Sequence, residues 1–221
     1  MNIQRTRIKF CGLTRDGDID AAVAAGADAL GFVFYPKSKR CLSEAQARQL
    51  RRRVPAYVTT VALFVNASPE EVAAVQRIFQ PDLLQFHGDE SPQDCRVHGQ
   101  AYVKAFRVGG PGCDTAQSLL QSCHAYDDAV GWLFDSYTPQ YGGSGHAFDV
   151  SLLTAIQADS EARALILSGG MKVQTVTQAI RDVRPWAVDV SSGIESSPGI
   201  KCADAMTRFA QAVRLGDDAP R

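Results

Sequence analysis

The stretch Ile8-Lys9-Phe10-Cys11-Gly12-Leu13-Thr14 sets the frame for the whole chain. A short apolar run is followed at once by Gly and then by Thr, a residue suited to capping a helix, so the segment reads as strand, tight turn and helix start. Residues two apart on a strand share a face, which aims Lys9 and Cys11 in the same direction. Cys11 falls at the carboxyl end, where α/β folds place their chemistry. Taken alone, Cys11 is equally a small buried core residue. The recurrence of the pattern along the chain separates the two readings.

It recurs eight times. Asp16 to Ala25 is an Ala-rich helix stopped at Gly26, and Ala29 to Phe34 continues into a second strand. The basic loop Lys37-Ser38-Lys39-Arg40 precedes a helix capped by Ser43 and running through Arg53. Tyr57 to Val65 forms a third strand, and Ser68-Pro69-Glu70-Glu71 opens a helix with Pro in its first turn. Leu83 to Phe86, ending in His87-Gly88, is a fourth strand with a weak helix from Ser91. Ala101 to Phe106 is a fifth, followed by a helix to about His124. Val130 to Phe134 ends at Asp135-Ser136 and a long polar loop over 137–146, of a length that is usually functional. Ala164 to Leu167 leads into Ser168-Gly169-Gly170 and a helix from Val173, and Ala187 to Val190 leads into Ser191-Ser192-Gly193 and a last helix from about Ile200 to Leu215. Eight near-continuous apolar strands alternating with helices predict an α/β fold closed as a parallel barrel over residues 1–215, with 216–221 a frayed tail. An open dinucleotide-binding sheet would carry Gly-x-Gly-x-x-Gly in its first turn, where this chain has Cys-Gly-Leu-Thr.

Composition narrows the function. The chain has 221 residues, 45% hydrophobic, and a formal charge of -1, with Arg51-Arg52-Arg53 as its one basic run. That pattern argues against a nucleic-acid partner, and no apolar run approaches the roughly 18 residues of a membrane span. No N-terminal segment has signal-peptide order, so the expectation is a soluble cytoplasmic protein. Six cysteines without a Cys-x-x-Cys pair and four histidines without ligand spacing suggest free thiols, with neither a disulfide framework nor a metal site.

Around the mouth of such a barrel the strand ends supply Cys11, Arg40, Asn66, Gln85 with His87, Arg107, Asp135, and the loops at Gly169-Gly170 and Ser192-Gly193. The last two are Gly- and Ser-rich loops in the units that frequently bind phosphate in barrels, although turn geometry alone also selects such residues. Arg40 suits a bidentate carboxylate grip or a merely solvated loop. Cys11 and Asp135 could divide base and acid roles, the thiol with its pKa lowered by a cation and the carboxyl kept partly protonated by burial or by a bound phosphate. His87 is a second titrating candidate or a hydrogen-bonded structural residue. Finally, Lys9 and Asp189 face inward on strands that become neighbours on closure. A lone buried Lys is costly, so the pattern predicts a Lys9–Asp189 ion pair below the site, close enough to help hold Cys11 as thiolate.

Together these residues closely resemble the phosphoribosylanthranilate isomerase family of tryptophan biosynthesis. The resemblance runs through Lys9-Phe10-Cys11-Gly12-Leu13-Thr14, Gly31 to Phe34 and Ser38-Lys39-Arg40, Leu63 to Asn66, Gln85 to Gly88, Phe134-Asp135 with Gly142 to Gly145, Leu167 to Met171, and Val188 to Glu195. It implies a cofactor-free (β/α)8 TIM barrel that performs an Amadori rearrangement of N-(5-phosphoribosyl)anthranilate, an aldose-to-ketose isomerisation. On this resemblance Asp135 is the general acid, Cys11 the base at the sugar C2, Arg40 the grip on the anthranilate carboxylate, and Gly169, Gly170, Ser192 and Gly193 the phosphate loops, with Gln85 and His87 at the substrate. It implies either a monomer or a homodimer. The chain departs from the family at Phe86 (commonly Leu), Ser144 (commonly Thr) and Cys202, where an acid usually follows Pro198-Gly199-Ile200-Lys201. The last change reads as loss of a first-turn acid from the final helix.

Two other readings compete. A histidine-pathway sugar-phosphate isomerase uses aspartates at the ends of strands one and five, where this chain has Cys11 and Phe106-Arg107. A non-catalytic phosphate-binding barrel would lack the acid or the base, and both are present.

Overall fold

The computed structural model describes residues 5–138, 141 and 147–218. Eight parallel strands close into a barrel: β1 (Arg7–Cys11), β2 (Ala29–Val33), β3 (Thr59–Phe64), β4 (Leu83–Phe86), β5 (Tyr102–Val108), β6 (Gly131–Ser136), β7 (Ala164–Leu167) and β8 (Ala187–Val190). Between them lie α1 (Asp16–Ala25), α2 (Glu44–Arg51), α3 (Pro69–Phe79), α4 (Pro92–Arg96), α5 (Ala116–His124), α6 (Thr154–Ala158) and α7 (Val176–Val183). A small hairpin, β9 (Glu195–Ser197) with β10 (Ile200–Lys201), precedes the last helix, α8 (Ala203–Asp217). The sequence-predicted TIM barrel is therefore the observed fold.

Strand alternation divides the core into two shells. Phe10, Phe32, Phe64, Phe86, Phe106 and Phe134 point outward from successive strands into the helix layer, and each is at most 5% exposed. Inside the barrel Val103, Ala105, Leu133 and Ile166 plug the floor, and above them Cys11, Val33, Leu63 and Val65 form an apolar patch at the mouth. Several helices are fixed by their first turns: Ser43, Ser68 and Ser91 each form a reciprocal capping box with the residue three positions on. That cap explains why even the five-residue α4 stands.

The structure amends the sequence reading in four places. Thr14 does not cap α1; its hydroxyl donates to the Gly199 carbonyl at 2.7 Å, and Arg15 occupies the cap position. A sixth helix exists but is short, a 3-10 turn running into α6, too brief to show a helical period. Ile200-Lys201 is an edge of the hairpin and not the start of α8. At the far end α8 continues past Leu215: Gly216 is buried and Asp217 accepts from the backbone N–H and hydroxyl of Thr6 at 2.9 and 2.6 Å, so 216 and 217 belong to the folded body. The tail from 219 to 221 and the glycines at 142, 143 and 145 with Ser144 lie outside the described residues.

Candidate active site

Closure puts β1 beside β8 with Lys9 directly opposite Asp189. The expected ion pair is present: Lys9 Nζ donates to Asp189 Oδ2 at 2.9 Å, with the two side chains 8% and 5% exposed. It lies beneath the carboxyl-end mouth, and Gly31 on β2 leaves the room it needs. A Cβ there would sit 2.7 Å from Cys11 Sγ and 3.1 Å from Lys9 Nζ. The Lys9 ammonium lies close enough to Cys11 to favour its ionised form.

Cys11 opens into a cavity of about 110 Å³ at the carboxyl ends of the strands. Its walls carry the apolar Val33, Leu63 and Val65, the polar Arg40, His87 and Asp135, and the loops Ser168-Gly169-Gly170 and Ser191-Ser192. Most of the residues expected at the site from sequence therefore meet in one place. Gln85 and Gly193 do not line it. Gln85 lies one strand period below His87, 1% exposed, and Gly193 is pressed against the β7 loop, where a Cβ would come within 2.0 Å of the Met171 carbonyl oxygen. Gly193 permits the β7 and β8 loops to approach each other, and Gln85 acts on a neighbour.

That neighbour is His87. Gln85 Nε2 lies 3.0 Å from His87 Nδ1, and His87 Nε2 lies 3.1 Å from Asp135 Oδ2. With the amide nitrogen as donor, Nδ1 accepts and the ring proton sits on Nε2, directed at Asp135. The other carboxylate oxygen accepts the Ser136 N–H at 2.8 Å. Asp135 is thus fixed in orientation from both sides while remaining on the cavity wall.

The thiol behaves otherwise than the sequence suggested. Burial pushes the Cys11 thiol above its ordinary range, and the Lys9 and Lys201 ammoniums, which favour the thiolate, offset that only in part. On balance the surroundings of Cys11 favour the thiol, with two cations beside it that favour the thiolate.

Arg40 is committed as well. Its Nε and Nη2 donate to Glu195 Oε1 and Oε2, both at 2.7 Å, a bidentate pair in which the guanidinium is about one-sixth exposed. Glu195 Oε1 also accepts from Lys201 Nζ at 2.7 Å, and that ammonium donates to the Ser191 carbonyl at 3.0 Å. Burial works to raise the Glu195 carboxyl, but Arg40 and Lys201 together outweigh it and hold the group below the usual carboxylate range. The sequence reading gives Glu195 and Lys201 no role. The signal that would have found them is a buried charge pair spaced six residues apart around Pro198-Gly199, the pattern of a hairpin.

On the β7 loop, Gly169 and Gly170 both adopt left-handed backbone, at φ +74 and +63. A Cβ on Gly169 would strike the Ser136 amide at 2.8 Å, so the loop packs directly over the end of β6. The helices expected after these loops are displaced. α7 begins only at Val176, and Ser192 opens a three-residue 3-10 turn instead of α8. What these loops offer an anion is the backbone N–H groups around Gly169, Gly170 and Ser192 and the hydroxyls of Ser168, Ser191 and Ser192. Tyr141, from the long loop after β6, reaches the cavity wall, where its hydroxyl accepts from Asn66 Nδ2 at 3.1 Å, donates to Asp89, and its ring lies 4.7 Å from the Arg107 guanidinium. Among the described residues no cluster suits a metal ion, and no helix is long and apolar enough to cross a membrane.

Comparison with known proteins decides what this constellation belongs to. Residues 8–212 match the family model described as N-(5'phosphoribosyl)anthranilate (PRA) isomerase. The chain belongs to the phosphoribosylanthranilate isomerase family. It is 56% identical to the N-(5'-phosphoribosyl)anthranilate isomerase of Bordetella bronchiseptica over 98% of this chain and 100% of the relative. It is 51% identical to the enzyme of Methylibium petroleiphilum over 96% of each. Among solved structures, phosphoribosyl anthranilate isomerase from Thermotoga maritima superposes with a TM-score of 0.85 at 39% identity, covering 95% of this chain and 98% of that one. A second such structure, at TM-score 0.82 and 36% identity with the same 95% and 98% coverage, is a complex with reduced 1-(o-carboxyphenylamino)-1-deoxyribulose 5-phosphate. The family performs an isomerisation in tryptophan biosynthesis, and that is the activity of this chain.

Proposed function

We propose that Cys11 and Asp135 carry the proton transfers of this isomerisation, with Arg40 and the β7 and β8 loops holding the two ends of the substrate. The observation that carries the reading is the meeting of a thiol from β1 and an oriented carboxyl from β6 on the wall of one cavity that also carries a guanidinium and Gly-Ser loops. A substrate with a carboxylate on an aromatic ring, a ribose and a terminal phosphate fits that set of groups. The carboxylate meets Arg40, the ring lies on Val33, Leu63 and Val65, and the phosphate takes the N–H groups around Gly169-Gly170 and Ser192. Gln85 and Gly193 support these contacts from behind.

Asp135 in its acid form donates a proton to the furanose ring oxygen. The C1–O bond breaks, and the nitrogen lone pair forms a protonated imine. Cys11 then takes the proton from C2, the electron pair of that bond moves toward the imine, and the resulting enol ketonises at C2 while C1 gains a proton. Nothing is gained or lost overall, as an isomerisation requires. The base needs the thiolate, and the two cations beside Cys11 are the groups that favour it against burial. His87 keeps Asp135 aimed during the first step. The test is loss of phosphoribosylanthranilate fluorescence in Cys11→Ser and Asp135→Asn variants. Each is expected to lower kcat by about 10²- to 10⁴-fold, and full activity in either overturns the assigned roles.

The Thermotoga relative is described as dimeric, with monomers generated from it. For this chain both monomer and homodimer are compatible with a site built wholly from one barrel.

A further inference from the structure

Arg40, Glu195 and Lys201 form a three-member charge cluster whose geometry has consequences for the carboxylate grip. The Glu195 carboxylate takes two donors from Arg40 and one from Lys201, all at 2.7 Å. Its side chain is 5% exposed and that of Lys201 0%, whereas Arg40 at 16% is the member that reaches the cavity. The aliphatic stem of Arg40 lies over Gly12, where a Cβ would come within 2.4 Å of Arg40 Cδ. The guanidinium plane is therefore fixed from below by the turn after Cys11 and edge-on by Glu195. The hairpin that carries Glu195 and Lys201 is itself clasped to the β1 loop, through Thr14 to the Gly199 carbonyl and through Arg15 to the Lys201 carbonyl at 3.1 Å.

An Arg–Glu pair on its own is electrically neutral and offers an incoming carboxylate little net attraction. The third member changes the sum. Two cations and one anion leave the cluster at +1, and the excess charge faces the cavity through Arg40.

We propose that Glu195 and Lys201 are positioning residues for the carboxylate end of the substrate: Glu195 fixes the plane of the Arg40 guanidinium, and Lys201 cancels the Glu195 charge so that Arg40 keeps its pull on the substrate carboxylate. The inference rests on the reading of Arg40 given above. It predicts opposite kinetic signatures for two neighbouring residues. Glu195→Gln removes the lock and raises the local charge, so kcat falls about tenfold through misplacement of Arg40 while KM stays level or drops. Lys201→Met neutralises the cluster, so KM rises about tenfold with kcat nearly kept. The double variant restores a sum of +1 with a neutral pair of similar volume, so its KM returns to within about threefold of wild type.

The experiment measures kcat and KM for phosphoribosylanthranilate, and inhibition by reduced 1-(o-carboxyphenylamino)-1-deoxyribulose 5-phosphate and by its analogue lacking the ring carboxylate, for wild type, Arg40→Met, Glu195→Gln, Lys201→Met and the double variant. Recovery of KM in the double variant, together with a carboxylate preference lost in Lys201→Met and regained in the double, supports the proposal. A merely structural role predicts a double variant as poor as the worse single one, and that result overturns it. If Lys201→Met does not fold, Glu195→Gln decides: binding of the carboxylated inhibitor at wild-type strength or tighter with a lowered kcat supports the proposal, and an unchanged kcat overturns it. An Arg40→Met variant that keeps the full carboxylate preference shows instead that the reading of Arg40 is at fault.

Discussion

Replacing Lys9 with Met isolates the buried ion pair on which the site stands. Lys9 Nζ and Asp189 Oδ2 are 2.9 Å apart. At an effective dielectric of about 20 that separation corresponds to an attraction of about 6 kcal/mol. Desolvating the two ions costs several kcal/mol each, so the intact pair comes out near balance. Breaking it does not. Asp189 would be left charged and buried, with one oxygen already lacking a hydrogen-bond partner among the described residues, at a cost of about 3–5 kcal/mol. For a domain of this size that lowers Tm by roughly 6–20 °C. The double variant Lys9→Met/Asp189→Asn removes the stranded charge and recovers most of the loss. The pH dependence has a definite sign. Burial lowers the Lys9 pKa, but Asp189 outweighs it, so the folded value lies above the unfolded one of about 10.4. The pair's contribution is complete below that pH and is lost as pH rises through the folded value. At pH 7 the full deficit shows, and it narrows only as pH rises through the folded Lys9 value, where wild type loses the pair as well. Thermal melts of wild type and of the single and double variants from pH 7 to 11 measure this. A single variant that melts with wild type, or a double variant no better than the single, refutes the reasoning.

Two further outcomes concern cysteines. Cys202 holds the N-cap of α8 without a side-chain bond to the helix, at φ -111 and ψ 114, which corrects its expected place in the first turn. Cys202→Ser or Cys202→Asp supplies an acceptor for the Asp204 or Ala205 N–H and should add about 1 kcal/mol, seen as a Tm rise of roughly 2–4 °C; an unchanged melt removes the capping argument. For Cys11, burial raises the thiol, so folding favours its protonated form: the stability this contributes is present below the unfolded value of about 8.5 and lost as pH climbs past it. Alkylation of Cys11 in the unliganded protein, read peptide by peptide, should be slower at pH 7.5 than that of free cysteine and accelerate above pH 8.5; reaction as fast as the free thiol contradicts a protonated resting state.

How much was legible in the sequence depended on how local each cause is. The barrel was, because its strands are continuous apolar runs and Ser43, Ser68 and Ser91 announce their helices within four residues. The Lys9–Asp189 pair was legible too, although 180 residues separate them, since alternation gives the facing and closure makes β1 and β8 neighbours. The Arg40–Glu195–Lys201 cluster was not. It depends on a two-residue strand, Ile200–Lys201, whose apolar and basic residues read equally well as the opening of a helix. The resting state of Cys11 was missed for a related reason: alternation locates the cations but does not weigh them against burial. Likewise His87 was visible as a strand-end residue, but its tautomer follows from Gln85, which periodicity places on the same face without showing the bond.

The central claim is that Cys11 and Asp135 act as one unit on one substrate. It is tested most directly by single-turnover loss of phosphoribosylanthranilate fluorescence in Cys11→Ala, Asp135→Ala and the double variant. If neither proton transfer is productive without the other, each single variant falls by about 10²- to 10⁴-fold and the double is about as slow as the worse single. Single variants that turn over at the wild-type rate, or a double variant slower by the product of the two losses, would contradict it.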